Sequence, residues 1–168
     1  MTQRILVAGI GNILLGDDGF GVEVARRLAE REFPDGVQVV DFGIRGMDLA
    51  YALLEDYDAV ILVDAAPRGE RPGTLCLIEP QMDQDGEVAL DTHGMDPVKE
   101  LALARALGAR PTRTFLVACE PGRLVDGDDY EDVLAELSAP VQAAVEGAVK
   151  MVESLVDEIR GVKGGDVR

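Results

Sequence analysis

Four side chains in this 168-residue chain have the types and settings for metal or acid–base chemistry. Two are the adjacent carboxylates Asp17 and Asp18, in the glycine-punctuated stretch GDDGFG that follows an apolar run. The third is Asp64, which ends the apolar run AVILV, and the fourth is His93, the only histidine of the chain. Two aspartates and a neutral imidazole make a three-ligand set for a divalent transition metal, with imidazole favouring nickel, copper, zinc or iron over magnesium. Such a set leaves coordination positions open for water or substrate. The metal then polarises a carbonyl and lowers the pKa of bound water, the chemistry of metal-assisted peptide hydrolysis. Each residue also has a plainer reading. An aspartate before a helix commonly caps it, and the residues around His93 (DTHGMDP) read as a loop that flanks a helix at the surface. One cap accounts for one of the two adjacent aspartates and leaves the other for chemistry.

The elements that must position these groups follow from apolar periodicity. Ile5 to Ile10 is short and rich in branched side chains, as in a strand buried on both faces of a parallel sheet. Beyond Gly19, the residues Phe20, Val24 and Leu28 recur at helical spacing, with Ala25 and Ala29 widening the stripe. Val37 to Phe42 reads as a second strand and Met47 to Leu54 as a second helix, joined by the turn GIRG. A third strand, Ala59 to Val63, delivers Asp64 at its carboxyl end, as the first delivers Asp17 and Asp18. Arg68 to Gly73 is a turn. No crossover helix separates it from Thr74 to Ile78, so that strand is predicted antiparallel. An irregular acidic passage runs to Thr92. Asp96, Pro97 and Gly108 then mark the ends of a helix. Thr114 to Cys119 is a fifth strand ending in Glu120, Pro121 and Gly122, and the acidic stretch Asp126 to Asp132 has the composition of a loop. A long helix runs from Ser138 to Ile159 with a valine-rich core face.

Alternating strands and helices imply an α/β three-layer sandwich: a mostly parallel five-stranded sheet with one antiparallel strand and helices on both faces. We expect a single domain over residues 1–162 and a disordered tail over 163–168. Open sheets of this kind place ligands at the carboxyl ends of their strands, where the strand order reverses. A reversal between the first and third strands brings Asp18 and Asp64 to one crevice, and a helix dipole beside the aspartate pair favours its ionised form.

Several function classes are disfavoured. A dinucleotide fingerprint needs a third glycine where Leu14 stands after Gly9 and Gly11, and two carboxylates there repel a pyrophosphate. The formal charge of −16, from 32 acidic and 16 basic residues, speaks against nucleic acid and anionic membranes as partners. No apolar run has the length of a membrane span and no signal peptide is evident, so a cytoplasmic protein is expected. Cys76 and Cys119 each lie within an apolar segment and read as buried free thiols.

Five fragments in order, GIGNILLGDDGFG, GIRGMDL, VDAA, THGMDP and CEPG, resemble the hydrogenase maturation proteases, from about Arg4 to the last helix. These endopeptidases trim a C-terminal extension from the large subunit of nickel-iron hydrogenases. The resemblance implies that Asp18, Asp64 and His93 are the metal-contacting and catalytic residues, acting on nickel already inserted in the precursor. It implies no permanently bound metal, no cofactor of the protein's own, and the large-subunit precursor as partner. Some members carry glutamate at the first ligand position, one methylene longer than Asp18. Asp17 then remains to cap the helix, while Gly16, Gly19 and Gly21 let the backbone approach a bulky protein substrate. Gly43 and Gly46 flank a loop that helps to receive the extension peptide. A monomer or weak oligomer is expected. The alternative from another class is a non-catalytic chaperone or metallochaperone of the large subunit.

Overall fold

The computed structural model describes residues 3–79, 113–122 and 136–161. Its elements run β1 (Ile5–Ile10), a 3-10 turn (Asp17–Gly19), α1 (Phe20–Ala29), β2 (Val37–Gly43), α2 (Gly46–Ala52), β3 (Ala59–Ala65), β4 (Leu75–Ile78), β5 (Arg113–Cys119) and α3 (Ala139–Ile159). These follow the pattern expected from the sequence to within a few residues at their ends. The expected helix after Asp96, the loop Asp126 to Asp132 and the tail over 163–168 lie outside the described residues.

The five strands form one sheet in the order β2-β1-β3-β5-β4. β1 pairs in parallel with β2 on one side and β3 on the other, and β3 pairs in parallel with β5. β4 is antiparallel as expected, but its neighbour is β5. The chain therefore leaves β3, passes beyond the place β5 will occupy and returns as the edge strand. The order also reverses between β1 and β3, since the chain steps outward to β2 on one side and to β3 and β5 on the other.

Side chains alternate across a strand, so each central strand feeds two cores. Ile5, Val7, Ile61, Val63, Phe115 and Val117 pack beneath α1 and the valine face of α3. Leu6, Ala8, Ile10, Val60, Leu62 and Ala118 pack with Leu49 and Leu53 of α2 on the other face. Three layers result, with β1 and β3 buried along their whole length, and the continuous apolar runs of those strands have this cause.

Candidate functional site

Asp18 stands in the loop that links β1 to α1. That loop turns back sharply because Gly11 takes φ of 140°, and a Cβ there would sit 1.8 Å from the Asp18 carbonyl oxygen. Asn12 accepts the Leu14 N–H on its side-chain oxygen at 2.9 Å, an Asx turn. Its own N–H donates to Asp18 Oδ2 at 2.8 Å. Burial raises the Asp18 pKa above its ordinary value, and the Asn12 hydrogen bond offsets only part of that rise. Loss of water on burial disfavours the charge on this carboxylate, and the loop amide of Asn12 favours it.

Asp64 lies on β3, 7 % exposed. It is in register with Ala118 of β5, and Ala118 is in turn opposite Cys76 of β4. By alternation it shares the sheet face of Leu62 and Ala118. The 3-10 turn that carries Asp18 packs against β3, so both aspartates belong to the edge of the sheet where the β1/β3 reversal occurs. Beside Asp64 on this face lies a cleft of about 170 Å³ lined by Ala66, Arg68, Cys76, Ala118 and Glu120 among others.

Asp17 does something the sequence reading did not foresee. No side-chain cap is present on the 3-10 turn or on α1, so the capping role assigned to Asp17 is overturned. Its carboxylate, 2 % exposed, turns the other way. Oδ2 accepts the Gly122 N–H at 2.7 Å and the Ser138 hydroxyl at 2.8 Å, and Oδ1 accepts the Ser138 N–H at 2.7 Å. A charged acceptor matched by donors such as these can be buried at tolerable cost, which an unmatched one cannot.

The glycines also receive a different explanation. A Cβ on Gly21 would lie 2.1 Å from the Val63 carbonyl oxygen and 2.3 Å from that of Ile10, and one on Gly19 would lie 3.1 Å from Ile13 Cα. Gly16, Gly19 and Gly21 are all buried. Gly21 lets α1 close onto β1 and β3, and Gly19 lets the turn close onto the loop at Ile13, so at these two positions the backbone approached is the protein's own. Of the two cysteines, Cys119 is buried, whereas Cys76 is partly exposed and accepts from the Arg68 guanidinium at 3.0 Å. An edge strand leaves Cys76 without full cover. Burial, with help from Asp17 and Glu120, pushes the Cys119 thiol up to about 11, so it is protonated and unsuited to act as a nucleophile at neutral pH.

Glu120 is a further carboxylate at a strand end, buried, with Oε2 accepting the Arg68 N–H at 2.7 Å. Its place after the apolar run TFLVAC parallels that of Asp64, and this was the signal for it. His93 lies outside the described residues, and among those described no group of three histidine, cysteine, aspartate or glutamate side chains could hold a metal ion. No helix among the described residues is long and apolar enough to cross a membrane.

The hydrogenase maturation protease family model matches residues 22–155. The hydrogenase expression/formation protein HoxM of Azotobacter vinelandii is 36% identical over 166 residues, covering 96% of this chain and 75% of its own. The hydrogenase maturating endopeptidase HybD of E. coli superposes with a TM-score of 0.73 at 32% identity, over 93% of each chain. The [NiFe] hydrogenase maturation protease HycI of Thermococcus kodakarensis KOD1 gives 0.66 at 28% identity, over 95% of this chain and 93% of the other.

Proposed function

This chain belongs to the hydrogenase maturation protease family, and from that premise we propose that it removes the C-terminal extension of a nickel-iron hydrogenase large-subunit precursor after nickel has been inserted. The observation that carries this reading is that β1 and β3 are parallel neighbours on either side of the reversal in strand order, with Asp18 in the turn that follows β1 and Asp64 near the carboxyl end of β3. Nickel belongs to the substrate. Asp18, Asp64 and His93 supply two carboxylate oxygens and an imidazole nitrogen to the ion that the precursor presents, a donor set suited to nickel. Gripping the ion fixes the scissile peptide relative to the protease, and positioning of this kind can remove a large share of a barrier. Water adds to the peptide carbonyl, the C–N bond breaks and the leaving nitrogen takes a proton. A precursor without nickel offers these residues nothing to grip, so cleavage waits for metal insertion.

The surroundings support a protein substrate. Ile13 and Leu14 after β1, and Ile44 and Met47 after β2, are exposed apolar side chains. The Gly11 N–H donates to the Gly43 carbonyl at 3.0 Å and ties the two loops together. Apolar side chains grouped at a surface mark sites of protein contact. Incubation of the purified chain with nickel-loaded precursor, followed by intact-mass spectrometry, tests the proposal. The expected result is loss of the extension from a molar excess of precursor. An intact C-terminus with every candidate large subunit overturns it, and a stoichiometric complex without turnover assigns a holding role instead.

A further inference from the structure

Resting on the reading of Asp18 given above, we infer that Asp17 is a positioning residue, which fixes the turn bearing Asp18 by anchoring it to the end of β5 and the start of α3. The two aspartates are chain neighbours with opposite tasks. Asp18 receives the Asn12 N–H from within its own loop, while Asp17 binds Gly122 and Ser138, which stand 105 and 121 positions away in the chain. The turn's own backbone bonds are short in range: Leu15 to Asn12, Asp18 to Leu15 and Gly19 to Gly16. Bonds of that kind shape a loop without fixing where it sits on the scaffold. Contact with Gly11 holds Asp18 from the β1 side, and the Asp17 carboxylate supplies the attachment on the β5 side.

The anchor point is itself built. Gly122 is closely surrounded: a Cβ there would meet Ser138 Oγ at 3.0 Å, Asp17 Oδ2 at 3.2 Å and Pro72 Cβ at 3.3 Å. Behind it, Gly73 donates to the Glu120 carbonyl at 2.8 Å and Glu120 donates to the Thr74 carbonyl at 2.9 Å. The end of β5 and the start of α3 thus meet on one carboxylate, and the β3–β4 connection braces the end of β5 behind them. Asparagine in its place would offer a single good acceptor and an amino group where three donors point inward, so the anchor cannot survive that change intact. A metal-binding constellation displaced by about an ångström can lose on the order of a hundredfold in rate.

The Asn12 amide is a reporter that a purely stabilising role for Asp17 would leave unmoved, because it donates to Asp18 and touches none of the Asp17 partners named above. Proton–nitrogen correlation spectra of the wild type, Asp17→Asn and Ser138→Ala would be compared, with Asp18→Ala marking the Asn12 resonance when its acceptor is gone. We expect the Asn12 amide to move toward the Asp18→Ala position in Asp17→Asn, and part of the way in Ser138→Ala, which keeps the backbone donor. Precursor cleavage should fall in kcat by about tenfold to a hundredfold with KM little changed. An unmoved Asn12 amide in a folded Asp17→Asn, whatever happens to Tm, overturns the inference. If Asp17→Asn does not fold, an unmoved amide together with full kcat in Ser138→Ala does the same. Failure of the wild type to cut any precursor would sink the proposed function instead, and the amide result would still decide the role of Asp17.

Discussion

The backbone N–H of Asn12 reaches Asp18 Oδ2 at 2.8 Å, so a loop amide holds this carboxylate while burial works against its charge. A carboxyl whose pKa is raised on folding stabilises the fold in its protonated form. That contribution is complete below the unfolded value of 3.8 and is lost as the pH climbs through the folded value. Asp18→Asn keeps an acceptor for Asn12 and carries no charge. It should therefore raise Tm at pH 7 by a few degrees while abolishing cleavage, and the gain in Tm should vanish below pH 3.8. Thermal melts across that range are the check. A Tm lowered at pH 7 would refute the account of Asp18.

Cleavage itself should fall as the medium is acidified. A ligating imidazole must be neutral, and the reference histidine pKa is about 6.5. Protonation of the imidazole therefore removes a donor from the proposed ligand set on acidification. Initial rates on the precursor should decline between pH 8 and pH 5. A flat profile over that range would remove His93 from the ligand set.

His93→Ala and Asp64→Asn should each reduce processing of the nickel-loaded precursor to background, which mass spectrometry of the product reads directly. Circular dichroism separates this from unfolding. His93→Ala is expected to keep its Tm, because the sequence around it reads as a loop. Normal cleavage by the histidine variant would return that residue to a plain surface role.

Gly21→Ala should be costly for stability, by about 3 kcal/mol, because the added methyl meets two backbone carbonyls that belong to the central strands and cannot give way. Urea denaturation measures this. A variant as stable as the wild type would show that α1 has slack against β1 and β3, contrary to the packing described.

Thiol chemistry offers an independent check. With its pKa near 11 and no exposure to solvent, Cys119 should resist iodoacetamide at pH 8, while the partly exposed Cys76 is modified first. Peptide mapping gives the order. Cys119→Ala should still cleave; loss of activity in a folded Cys119→Ala would point to a thiol in the reaction.

Much of this molecule was legible before any coordinates. The strands β1 and β3 announce themselves because full burial on both faces demands unbroken apolar runs, and the stripe of α3 because one helix face meets the sheet. Asp18 and Asp64 were legible as loads on strand ends. The direction of the Asp17 side chain was not. Its partners lie more than 100 positions away, and no local spacing encodes a hydrogen bond of that span. The glycines after Asp18 were misread for a related reason: glycine looks the same in sequence whether it admits a partner molecule or the protein's own backbone. Cys76 sits in an apolar run like Cys119, and only the strand order tells an edge from a centre.

The bond between Asp17 and Ser138 has one more consequence, for the order in which the molecule becomes competent. During synthesis both aspartates of the crevice leave the ribosome in the first 64 residues, long before Ser138 exists to complete the clamp. A chain truncated before Ser138 thus carries Asp17 without the hydroxyl and backbone N–H of Ser138 that it binds. The turn that bears Asp18 is therefore tied to the β5 side only once the last helix has docked.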